Sequence, residues 1–295
     1  TIASNGQLTL TQTLIGTALD ISGDIDVDGT TNLDAVDIDG NLDVDGGTIK
    51  LDGNYPTGSD NVALGNTALD SVQGGGSGNT AIGNNALTAV TTADENTAVG
   101  QNTLRTNVQA KNTAVGASAL CANDNGYDNT GVGRTALNKN TGGYGNTAVG
   151  SCASESNTSG DYNTGVGYAS LLANTTANNN VAVGNVALTA NTTGTSNVSV
   201  GSHSLQANTT ASNNTAVGYQ ALNDNTTGAN SVAVGCGALE NNTIGDQNTA
   251  VGGTALGDNT EGEYHAAFGY NALRKNTTAD NNSAFGYYAL ACNTT

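Results

Sequence analysis

The chain has 295 residues and a formal net charge of −18, with 41 Gly, one Pro, two Phe and neither Trp nor Met. Gly, Asn and Thr together make up about 43% of it, and its hydrophobic fraction of 36% falls below the usual range of about 45–50%. That composition excludes an enzyme domain with a thick Leu/Ile/Phe core and disfavours long helices, while the 11% of charged residues, with no Pro-rich tract, argues against disorder. A repetitive β-solenoid survives these exclusions.

Residues 1–58 read as an acidic, β-rich connector. Residues 1–60 hold eleven Asp and a single basic residue, Lys50. Asp24-Ile25-Asp26-Val27-Asp28-Gly29, Val36-Asp37-Ile38-Asp39-Gly40 and Leu42-Asp43-Val44-Asp45-Gly46 are short alternating strands closed by Gly. Asp24, Asp26 and Asp28 open like a calcium loop, but the twelfth position is Ala35 where a bidentate Glu is needed. They are therefore a weak metal candidate, and a solvated strand with Asp outward fits them better. Pro56 marks the expected boundary. The start, Thr1-Ile2-Ala3-Ser4, has neither Met nor a basic-then-apolar signal, so a processed chain or a fragment is expected.

Residues 59–295 are a repeat array. The motif N-T-A-V-G-x-x-A-L recurs fourteen times from residue 61, its glycines running from Gly65 to Gly286 at intervals of 18, 17 and 16 and then ten of 17. Numbered from its Asn, position 1 is Asn except at Ser231 and His265, and position 4 is always apolar. Position 5 is always Gly, as at Gly133, Gly150, Gly167, Gly184, Gly201 and Gly218, which suggests a positive φ or an approach too close for a Cβ. Position 9 is Leu except at Ser154. Position 12 is Asn in the last twelve copies, among them Asn123, Asn140, Asn157, Asn174, Asn191, Asn208 and Asn225, followed by a Thr/Gly-rich turn.

These columns predict an all-β, parallel solenoid of fourteen coils with about 17 residues in each. Asn at positions 1 and 12 is read as a stacked hydrogen-bond ladder. The Val and Leu columns are expected to form two apolar ridges, with Ala at position 8 keeping the coil thin. Alternation places Asn, Ala and Gly on one strand face and Thr and Val on the other, one lining the coil and the other an oligomer axis. A coil of 17 residues cannot fold alone, so stability is expected to be that of a one-dimensional array.

Asn230-Ser231-Val232-Ala233-Val234-Gly235 resembles the head repeat of trimeric autotransporter adhesins. The longer form at 214–228, N-T-A-V-G-x-x-A-L-x-x-N-T-T-G, is similar to repeats of bacteriophage tail-fibre proteins. The acidic segment also resembles connectors found ahead of such phage repeats. The resemblance implies a left-handed β-roll, a homotrimer, and a rod on a virion that presents a receptor-binding tip to a host surface. Other tail or fibre proteins and a host glycan or protein receptor would be its partners. The alternative it implies is a bacterial surface adhesin head or an extracellular filament subunit. The period of 17 is longer than in adhesin heads, and the sequence stops partway through a repeat.

Other chemistry is sparse. No cluster of Lys/Arg suits nucleic acid or an anionic membrane surface, and no apolar run is long enough to span a bilayer. Cys121, Cys152, Cys236 and Cys292 fall at least two coils apart, so four free thiols are expected. His203 and His265 sit in different repeats, and neither has the partners of a nucleophilic site, so no catalytic residue and no cofactor are expected. Tyr168, Tyr219 and Tyr270 share position 6 at intervals of 51 residues, and Tyr287 follows them, as a possible contact surface for saccharide or protein. Several position-12 asparagines begin glycosylation sequons, from Asn157 to Asn293. The Thr column at position 2 resembles one half of an ice-binding face, without a second Thr column beside it.

Overall fold

The structure is a computed structural model and describes residues 60–72 and 75–294. The chain divides into two units, residues 1–50 and 51–295, and every described residue lies in the second. The acidic connector, the boundary at Pro56 and the Asp24/Asp26/Asp28 candidate lie outside the described residues.

Fourteen three-residue strands run from β1 (Val62–Leu64) to β14 (Ser283–Phe285), and no helix occurs among the described residues. They form one parallel sheet in strict chain order, so each strand pairs only with the coils before and after it. The register never slips: Thr215, Ala216 and Val217 face Val232, Ala233 and Val234, which in turn face Thr249, Ala250 and Val251. The result is a β-solenoid of about thirteen turns with about 17 residues in each. Thirteen strand steps of about 4.8 Å make the sheet roughly 60 Å long.

Alternation assigns the faces as the sequence suggests, and it puts the Val and Leu columns on opposite sides of the coil wall. Position 3, Ala in most coils, points inward and is fully buried, as are Ala81, Ala148 and Ala250. The Val column at position 4 points outward, and Val115, Val149, Val183 and Val217 are exposed. Position 1 sets the phase. Its Asn is buried in the coil, so position 3 must follow it inside while positions 2 and 4 face out. The core is therefore Ala and Leu. The Leu column is buried from Leu69 to Leu273, as at Leu120, Leu188 and Leu256, and only Leu290 in the last coil is exposed.

That burial overrides a backbone penalty. Every Leu of position 9 has a left-handed φ, between +46° and +53°. The left-handed region costs an L-residue roughly 1–2 kcal/mol, whereas burying a Leu side chain returns about 1.5–3 kcal/mol. The two are close in size, so the fold keeps Leu rather than Gly only because the coil has no other large apolar group.

Ser154 shows what happens without it. The core falls into two clusters, Ala68 to Ala153 and Leu171 to Ala284, and the break is at Ser154. Its hydroxyl lies 2.8 Å from where a Cβ on Gly165 would stand, beside Ser170. Leu120 stacks in the same way against Gly131, its Cδ1 3.3 Å from the equivalent point, so a Leu can occupy this arrangement. Ser154→Leu is expected to join the two clusters and to raise unfolding stability by about 1 kcal/mol, as cavity-filling changes do. Denaturant melts of the two proteins check this, and a lower midpoint for Ser154→Leu would contradict the packing described.

Candidate functional site

The coils are held in register by side chains that bridge one turn to the next. The position-12 asparagines form an unbroken run of amide links from Asn107 to Asn276. Asn174 Nδ2 donates to Asn157 Oδ1 at 2.9 Å, and Asn191 Nδ2 donates to Asn174 Oδ1 at 2.9 Å. The members expected from sequence belong to this run: Asn123, Asn140, Asn157, Asn208 and Asn225 are linked at 2.6–3.0 Å.

Position 1 completes the clamp. Each Asn Oδ1 accepts the backbone N–H of the next coil's position 1, as from Asn163 N to Asn146 Oδ1 at 2.9 Å. In eight coils its Nδ2 donates to the carbonyl of position 15 in its own coil, and the position-12 Nδ2 donates to that same carbonyl. Gly143 O receives Asn129 and Asn140, both at 2.8 Å, and Gly160 O receives Asn146 at 2.8 Å and Asn157 at 2.9 Å. One carbonyl thus has both lone pairs filled by two buried amides. Among the described residues, Asn223 Oδ1 is the one buried side-chain polar atom without a partner, and it belongs to neither column.

The Gly column meets both conditions that its strictness suggests. Its φ values lie between +123° and +142°. A Cβ on Gly218 would stand 2.5 Å from the Gly235 carbonyl oxygen, and one on Gly235 would stand 2.5 Å from that of Gly252. Gly133, Gly150, Gly167, Gly184 and Gly201 stack on the following glycine in the same way.

Two further columns escaped the sequence reading. Thr at position 13 donates its hydroxyl to the next coil's position-13 carbonyl, as from Thr175 to Thr192 O at 3.1 Å and from Thr226 to Thr243 O at 2.9 Å. At position 16, an Asp or Asn oxygen accepts the backbone N–H of the coil before it, as Asp161 does from Tyr144 at 3.0 Å and Asp280 does from Glu263 at 2.9 Å. The Thr run from Thr141 to Thr277 was visible as a column, but its role depends on a carbonyl one coil away.

The remaining candidates resolve individually. All four cysteines are free. The sequon asparagines Asn157, Asn174, Asn191, Asn208, Asn225 and Asn276 are fully buried with their amides engaged, so the folded coil hides them from a glycosyltransferase. His203 Nδ1 lies 2.8 Å from Gln206 Oε1, and the ring stands edge-on to Tyr219. Among the described residues no group of three or more His, Cys, Asp or Glu could hold a metal ion, and no helix is long and apolar enough to cross a membrane. Tyr168, Tyr219, Tyr270 and Tyr287 are all exposed. Aromatic pairs add to them: Phe268 stacks on Phe285 with centroids 5.1 Å apart, and Tyr127 stacks on Tyr144 at 4.9 Å.

The two exceptions at position 1 keep the acceptor. Asn248 N–H donates to Ser231 Oγ at 3.1 Å, and Asn282 N–H donates to His265 Nδ1 at 3.1 Å. His265 is 2% exposed. Its pKa is lowered, first by burial and against the pull of the Ala279 carbonyl, the Asn282 backbone and Asp280. Protonation would place an N⁺–H against the Asn282 N–H donor.

Neither protein-family models nor curated proteins match this chain.

Two measurements test this architecture. Asn174→Ala removes two donated bonds and one accepted bond from a fully buried position and is expected to cost about 3 kcal/mol, whereas Thr176→Ala, on the exposed side of the same turn, should change stability by less than about 0.5 kcal/mol. Equal losses in urea melts would contradict the ladder. For His265 the folded pKa lies below the unfolded value of about 6.5. The unfolded chain therefore binds the proton first, and stability falls as pH drops below about 6.5 towards the folded pKa. Melts of the native chain and His265→Asn between pH 7.5 and 5.5 should diverge, the native chain losing more; parallel curves would contradict a neutral ladder role.

Proposed function

We propose that this chain is the rod of a homotrimeric fibre, a phage tail fibre or similar virion appendage that presents a receptor-contacting surface to a host cell. Its work is mechanical and adhesive rather than catalytic. The observation that carries this reading is the outward sheet face. Positions 2 and 4 of all fourteen strands hold no charged residue, in a chain of net charge −18, and the position-4 Val column faces outward along the array, exposed at Val115, Val149, Val183 and Val217 and half-buried at Val132, Val166 and Val200. A flat, uncharged Thr/Val strip roughly 60 Å long is a surface suited to burial against copies of itself. At about 10 Å of strand width it offers several hundred Å² per protomer, of the order of a specific interface. Leu is committed to the coil interior, so the contact between chains is made by Thr and Val.

The number three and the virion setting rest on the resemblance of the repeats to tail-fibre repeats. The N-S-V-A-V-G sequence of 230–235 favours the second reading, a bacterial surface adhesin head or extracellular filament subunit built on the same contact.

Sedimentation equilibrium tests the assembly. The chain is expected to run at three times its 29.2 kDa mass, and Val149→Lys with Val217→Lys, which place two charges on the strip without touching the interior, should release monomers that stay folded. A native chain that sediments as a monomer would overturn the proposal, and so would a trimer indifferent to both lysines. Binding of the trimer to whole host cells, without hydrolysis of their surface polysaccharide, tests the adhesive part.

A further inference from the structure

Position 6 carries a second period laid over the coil repeat. Tyr168, Tyr219 and Tyr270 recur every 51 residues, three coils apart, and the coil before each holds a small residue in the same column: Ser151, Ser202 and Gly253. The rings are 59%, 52% and 49% exposed. At the third site the ring lies close over the small residue, with Tyr270 Cδ2 and Cε2 3.1 and 3.4 Å from where a Cβ on Gly253 would stand. Each ring thus has a small residue in its own column on the side of the preceding coil, while on the far side Tyr270 stacks with Tyr287, centroids 5.7 Å apart. Three strand spacings put successive rings about 14 Å apart along the axis.

The chemistry around the rings narrows the partner. From Tyr168 to Tyr288, columns 6 and 7 contain no carboxylate and no Lys or Arg. What they offer instead is hydrogen-bonding capacity: Asn185, Ser202 and Gln220, and His203 standing edge-on to Tyr219 with centroids 6.1 Å apart. A polyanion would meet a chain of net charge −18 with no cation on the track. A peptide adding as a strand needs an open sheet edge, and position 6 lies beyond the strand, past the Gly turn. Evenly spaced aromatic faces with polar groups between them suit a polymer that is apolar on ring faces and hydroxylated at ring edges.

We propose that the tyrosine column is a binding track for an extended, neutral polysaccharide lying along the solenoid axis, one sugar ring against each Tyr. This deepens the adhesive reading and rests on it, naming the receptor class and the residues that meet it. Each contact is weak alone. Two or three Tyr engaged by one chain act together, because the second contact is made at high effective concentration.

The chain has ten Tyr and no Trp, so its intrinsic fluorescence reports on tyrosine. The test titrates the intact protein with neutral, linear oligosaccharides of 1,4-linked glucose, mannose or galactose, in length series from two to twelve sugars. In at least one series, affinity is expected to jump about tenfold or more once the oligomer is long enough to span two tyrosines. Tyr219→Ser should move that jump to oligomers long enough to span Tyr168 and Tyr270, about 29 Å apart, Tyr219→Phe should keep it in place, and Tyr144→Phe should leave it unchanged. Equal thermal melts of these variants show that folding is intact. No affinity for any neutral series, or a length dependence indifferent to Tyr219→Ser, would overturn the track. Cell binding separates the two ideas: if the protein adheres to host cells equally with Tyr168, Tyr219 and Tyr270 all changed to Ser, the track fails and the adhesive reading stands. If it adheres to no cell while the oligosaccharide jump is present, the adhesive reading fails instead.

Discussion

In eight of the fourteen coils the backbone carbonyl of position 15 receives two buried asparagine amides, and the rest of the structure depends on that clamp. Gly143 O and Gly160 O show it, each held by a position-1 and a position-12 Asn. The oxygens of the same two side chains then reach the next coil, one to a backbone N–H and the other to an amide. A turn buried without these partners would leave several polar groups unpaired, at roughly 1–3 kcal/mol each. The amide pair is therefore both the fastener within a coil and the template for the next.

The other columns follow from it. A buried Asn at position 1 fixes the phase of the strand, which puts Ala inside and Thr and Val outside. Coils spaced by hydrogen-bond ladders leave no room for a Cβ at position 5, where Gly218 already stands against Gly235. The interior that remains accepts one Leu and little else, even at a left-handed φ. Each coil is stable only through its neighbours, as in other one-dimensional arrays, so a defect such as Ser154 divides the core rather than abolishing it.

Much of this was legible in the sequence, because a repeat prints its architecture fourteen times. The period, the parallel order, the Gly column and the Asn ladders could all be read from spacing and residue type. The inward face could not. The sequence N-T-A-V-G alternates equally well with Val inside, and only the buried partner of Asn decides between the two. The Thr hydroxyl run and the Asp/Asn acceptors at position 16 were hidden for a similar reason, since each needs a backbone group one coil away. His265 was visible as a departure from Asn, yet its Nδ1 takes the place of Oδ1, which only the geometry reveals. The tyrosine period was plain; the small residue beneath each ring gained meaning only once the columns were stacked.

Native-state hydrogen exchange resolved to single amides tests the ladder most directly. The position-1 N–H groups of the central coils, such as Asn146, Asn163 and Asn180, each donate to a buried side-chain oxygen of the coil before. They should be among the slowest amides in the protein, with protection declining from the middle coils towards β1 and β14. Rapid exchange at these positions while the strand amides stay protected would contradict the account, because the amide clamp would then not be what holds one coil to the next.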